Sequence, residues 1–141
     1  MKLSARNVLP GSVTKVIKGA VNSEVDLTLQ GGDKVVAVIT NESVEHLALK
    51  EGTKASAILK ASWVILGVDL DPKKISARNV LRGTVARIHQ GAVNDEVTLT
   101  LNGGAEVTAI ITRGSSETLG FKTGGAASAA FKANNVILAV E

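Results

Sequence analysis

Hydrophobic and polar positions alternate with a period of two through "EVDLTLQ", where Val25, Leu27 and Leu29 interleave with Asp26, Thr28 and Gln30. That period predicts a strand with one wet face. Gly31-Gly32 follows, then the apolar run Val35 to Ile39. Two strands joined through a glycine pair predict a β-hairpin, because tight hairpin turns need positive φ. In "NESVEHLAL" the spacing changes: Val44, Leu47 and Ala48 fall at helical intervals, with Asn41 as the expected N-cap and Glu42 in the first turn. After Gly52 the runs "ASAILK" and "WVILGV" return to strand.

The whole pattern occurs twice. "SARNVLPG" (Ser4 to Gly11) reappears as "SARNVLRG" (Ser76 to Gly83), and "KGAVNSEVDLTLQGGDKVVAVIT" lies over "QGAVNDEVTLTLNGGAEVTAIIT". "KASWVILGV" lies over "KANNVILAV", and every matched pair is 72 positions apart. The repeat divides the chain into units 1–70 and 71–141, joined near "DLDPKK", where Pro72 and the flanking charges suit a connector. The element order predicts an all-β chain: two tandem OB-like five-stranded β-barrels, each with one short helix. A barrel this small is marginal alone, so partner surfaces are expected.

Composition narrows the chemistry. Aromatics are 2% of 141 residues, so Val, Ile, Leu and Ala must build the core. With no cysteine there are no disulfides, thiolate metal sites or cysteine nucleophiles. The start "MKLSARNVLPG" lacks the apolar core of a signal peptide, and no stretch approaches ~18 consecutive apolar residues. A cytoplasmic chain without a membrane partner is the expectation. A net charge of +3, spread along the chain, suits small anions better than a polyanion.

His46 and His89 align with Thr118 and Ile17, and neither falls in a metal-ligand or triad spacing, so the chain reads as non-catalytic. An OB-like barrel that binds single-stranded nucleic acid needs stacking aromatics over a basic groove. Trp63 is unmatched in the second half, so nucleic acid is not expected. A purely structural assembly module stays open as an alternative.

Four motifs offer donors. Ser4 and Arg6, placed on a strand, would share one face, where hydroxyl and guanidinium suit oxyanion oxygens. The same pair would equally suit a solvated face with an ion pair to a nearby carboxylate. Thr40 and Ser43 flank a helix start, where capping and anion binding are compatible. Lys60 precedes the small Ala61, and the "GAVN" turns at Gly19 and Gly91 fit either ordinary turn chemistry or an anion nest.

Taken in order and twice over, "SARN", "GAVN", "IT..S" and "LKA" or "FKA" before "VIL" resemble the Mop domain of molbindins, in tandem form. The resemblance implies a homotrimer that binds molybdate or tungstate as its ligand, with no organic cofactor. It implies inter-domain sites at Ser4, Arg6, Lys60 and Ala61 with Thr40 and Ser43, and at Ser76, Arg78, Lys132 and Ala133 with Thr112 and Ser115. It places further sites near a threefold axis at Ala20, Val21 and Asn22, and at Ala92, Val93 and Asn94. Departures beside them, such as Ser62-Trp63 against Asn134-Asn135, imply halves that differ in affinity. The donor chemistry agrees: these dianions carry no proton at neutral pH, whereas a phosphate proton left unpaired costs roughly 1–3 kcal/mol.

Overall fold

The computed structural model describes residues 1–141. In the first repeat β1 spans Asn7–Lys18, β2 Asn22–Leu29 and β3 Lys34–Thr40. Helix α1 (Asn41–His46) follows, then β4 (Lys54–Leu59), a 3₁₀ turn (Ala61–Trp63) and β5 (Ile65–Gly67). The second repeat matches it: β6 (Asn79–Gln90), β7 (Asn94–Leu101), β8 (Glu106–Thr112) and α2 (Arg113–Leu119). It ends with β9 (Ala126–Phe131), a 3₁₀ turn (Ala133–Asn135) and β10 (Ile137–Ala139). The all-β expectation holds, as two curled five-stranded sheets with one short helix each.

The hairpins form as the alternation requires. Val25 and Leu27 lie against the core with Val35 and Ala37, while Asp26 pairs with Val36 on the other face. A bulge between Val13 and Lys15 bends the long β1, so its first half pairs with β4 and its second with β2. The second repeat places the same bulge between Val85 and Arg87.

The sheets do not close on the repeat boundary. Their strand orders are β10-β4-β1-β2-β3 and β5-β9-β6-β7-β8. The last strand of each repeat is therefore handed to the other: Ile137 pairs with Ile58, and Ile65 with Ala130. The buried hydrophobic side chains form one continuous cluster that draws on both repeats, including Leu59, Val64 and Leu66 with Phe131, Val136 and Leu138.

Each sheet curls until its free edge meets the opposite repeat. The β3 edge lies against the 133–135 turn, and the β8 edge against the 61–63 turn. Asn79 completes the first closure, accepting from the Val36 N–H at 2.7 Å and donating to its carbonyl at 2.8 Å. Asn7 does the same on Thr108, at 2.7 and 2.8 Å. A side-chain amide thus stands in for a sixth strand and satisfies an edge that would otherwise invite pairing. The hairpin tips also touch, where Gly103 N–H donates to the Asp33 carboxylate at 2.9 Å.

Candidate functional site

The strands begin later than the pattern suggested. β1 opens at Asn7 and β6 at Asn79, so Ser4, Arg6, Ser76 and Arg78 lie in extended straps just before them. The period-two expectation for Ser4 and Arg6 fails because Asn7, not Arg6, is the first residue to engage the sheet. It is buried at 2% exposure, while Arg6 and Ser4 are exposed.

The straps lie across the opposite repeat. Arg6 Nη1 donates to Glu96 Oε1 at 2.9 Å, and Arg78 Nη1 to Glu24 Oε1 at 2.7 Å. Glu96 shares its strand face with Asn94 and Thr98, opposite Ile110, Thr112 and Thr108. Because Asn7 pairs with Leu59, continuing the ladder puts Arg6 beside Lys60, and the turn starting at the buried Ala61 packs on β8. Arg6, Lys60 and Ala61 therefore lie on the sheet that ends in Thr112, not beside Thr40 and Ser43 with which the resemblance grouped them, because each strap crosses to the opposite repeat. By the same symmetry Arg78, Lys132 and Ala133 lie on the sheet that ends in Thr40. Ser4 and Ser76 are exposed at the start of each strap.

The helix start is tied to the neighbouring turn. Thr40, not Asn41, is the N-cap: its Oγ1 accepts from the Ser43 N–H at 3.1 Å and donates to Ser43 Oγ at 2.8 Å. Thr112 and Ser115 repeat the arrangement. Asn41 instead anchors the "GAVN" turn, donating from its backbone to Val21 O at 2.9 Å and from Nδ2 to Gly19 O at 2.9 Å. Arg113 takes over both contacts in the second repeat, through Val93 O and Gly91 O. The turns close through Gly19 N–H to Asn22 O and Gly91 N–H to Asn94 O, each 2.9 Å. Neither Ala20 nor Val21 donates its N–H within the chain, nor do Ala92 and Val93, and all four residues are exposed. Since Asn22 pairs with Thr40, and Asn94 with Thr112, the two candidate site types adjoin along one strand pair.

Electrostatically, the Arg78 guanidinium is held above its ordinary pKa, first by its hydrogen bond to Glu24, then by the charges of Glu24 and Asp26. Lys60 Nζ stands 5.3 Å from the Trp63 ring centroid, a cation–π contact that Lys132 lacks because Asn135 holds the equivalent position. No cluster of His, Asp and Glu suits a metal cation. Both histidines are exposed. A groove of about 1090 Å³ runs along β1 and β4 between Met1 and Glu141 and contains none of these residues. Sequence reasoning missed Glu24, Glu96, Asn7 and Asn79. Only the shared Asn of "SARN" and the shared Glu two residues beyond "GAVN" marked them.

A TOBE-domain model matches residues 3–66 and again 75–138. A solved structure of the cytoplasmic molybdate-binding protein ModG, with molybdate bound, superposes with a TM-score of 0.94 at 51% identity, covering 100% of both chains. Molybdenum-pterin-binding protein MopA of Rhodobacter capsulatus is 45% identical over 99% of this chain and 53% of its own length. Molybdenum transport protein ModE of Azotobacter vinelandii is 45% identical over 99% of this chain and 52% of its own. The chain thus spans about half the length of these two relatives. Molybdenum-pterin-binding protein 3 of Clostridium pasteurianum matches a single repeat, 47% identical over 97% of its own length. With the domain model covering both halves, the chain belongs to the TOBE-domain family and carries that domain twice.

Proposed function

We propose that the chain binds molybdate, and its close analogue tungstate, as a non-catalytic cytoplasmic store or buffer. The full-length likeness to molybdate-bound ModG carries this reading. The donor set supports it, because Arg6, Lys60, Thr112 and their counterparts Arg78, Lys132 and Thr40 supply hydroxyl and cationic donors on two matched faces. A tetrahedral dianion without a proton is satisfied by donors alone. Within one chain the inter-domain sites group Ser4, Arg6, Lys60 and Ala61 with Thr112 and Ser115, and Ser76, Arg78, Lys132 and Ala133 with Thr40 and Ser43. The free N–H groups of Ala20 and Val21, and of Ala92 and Val93, make a second class with Asn22 and Asn94. We assign the assembly as a homotrimer, which brings these exposed turns together near the axis.

Equilibrium dialysis against sodium molybdate, with bound metal counted per chain, tests the reading. Uptake at micromolar ligand is expected, and its absence from a folded sample leaves only an assembly module. Arg6→Ala combined with Arg78→Ala should empty the inter-domain class and leave the turn class filled. Unchanged stoichiometry in that double variant would show the sites to be elsewhere.

A further inference from the structure

The two arginines offered to the oxyanion are each already in contact with a carboxylate of the opposite repeat: Arg6 with Glu96, and Arg78 with Glu24. Both contacts use Nη1 alone, so the rest of each guanidinium fork is unengaged by the chain. A dianion accepting from that remaining edge would sit within a few ångströms of a fixed negative charge, and like charges at that range repel. The carboxylate must therefore either surrender its arginine or weaken the ligand by its field.

The two sites are not equal in this respect. Position 26 faces the same side of its strand as Glu24, and there the first repeat carries Asp26 where the second carries Thr98. Thr98 is neutral and shares a hydrogen bond of 2.9 Å with Thr108. Asp26 faces Val36 across the strands, and its buried Oδ1 has no hydrogen-bond partner. Its charge is felt at Arg78. On the strand face that meets the arginine, Arg78 thus answers to two carboxylates and Arg6 to Glu96 alone, since the buried Asp95 beside Glu96 points to the other face of its strand.

The geometry points to Glu24 and Glu96 as internal competitors of the bound oxyanion, with Asp26 as the residue that makes the Arg78 site the weaker of the pair. This grading rests on the oxyanion reading above. It gives one chain two affinities from nearly identical motifs, so that the Arg6 site fills first and the Arg78 site answers to higher ligand concentration.

Calorimetric titration of the full chain with sodium molybdate tests it, using Arg6→Ala and Arg78→Ala to identify which class each arginine owns. Glu96→Gln should tighten the class lost in Arg6→Ala, and Glu24→Gln the class lost in Arg78→Ala, each by about threefold to tenfold. Asp26→Asn, which keeps the shape, and Asp26→Thr, which copies the second repeat, should draw the two affinities together. If the wild type binds and these variants, melting with it, bind as it does or more weakly, the grading falls while the oxyanion reading stands. Should neither wild type nor variants take up molybdate, both fall.

Discussion

Asn7 and Thr108 lie 101 residues apart and exchange two hydrogen bonds, the amide of one reading both backbone groups of the other. The pair ties the start of the first repeat to the edge of the second, and it sets where the Arg6 strap lies. Replacing Asn7 by Ala strands a backbone donor and acceptor, which costs about 1–3 kcal/mol. Urea denaturation should show the loss, and Asn79→Ala should match it through Val36. Equal midpoints for Asn7→Ala and wild type would contradict the bracket.

At the hairpin tips, Gly31 and Gly103 meet so closely that a Cβ on Gly31 would overlap the Gly103 carbonyl. Gly31→Ala must push the hairpin tips apart, with an expected loss of about 1–3 kcal/mol. Thermal melting checks this.

Ala48 follows the first helix with φ of 52°, while Gly120 holds the equivalent place with φ of 68°. Left-handed backbone costs a residue with a Cβ about 1 kcal/mol. Ala48→Gly should therefore raise the melting midpoint by a few degrees, in contrast to the usual cost of introducing glycine.

Trp63 is the single tryptophan and lies under Lys60. If Lys60 turns toward an oxyanion, the indole loses its cation. Molybdate should then change the intrinsic fluorescence in step with uptake at the Arg6 site. Arg6→Ala should abolish that response, and Arg78→Ala should leave it intact.

A fragment ending at residue 70 would carry β5 without β9 and β4 without β10. Since β5 and β10 occupy matching positions in "VILGV" and "VILAV", two such fragments can exchange β5 with one another. Sedimentation of the fragment should give a dimer that loses its structure on dilution, not a folded monomer.

Much of this was legible because it is local. The hairpins follow from Val25, Leu27 and Leu29 against Asp26 and Thr28, and the helix from Val44 and Leu47, though its cap is Thr40 and not the expected Asn41. What could not be read is what depends on distance. "VILGV" and "VILAV" have the same pattern, so nothing in them says that each pairs with the other repeat's sheet. The Arg6–Glu96 and Arg78–Glu24 contacts span 90 and 54 positions and leave no periodic trace. Asn7 and Asn79 look like members of a wet face. Only the curl of the opposite sheet, which offers them an unpaired backbone edge, makes them interior residues.

The handing over of β5 and β10 has a further consequence for dilution. Two separate single-repeat chains that trade strands must find each other, and their embrace weakens as they become scarce. Here the connector around Pro72 keeps the trading partners permanently within reach, so the exchange is a first-order event. The paired core can therefore persist at concentrations where two unlinked repeats trading the same strands would come apart.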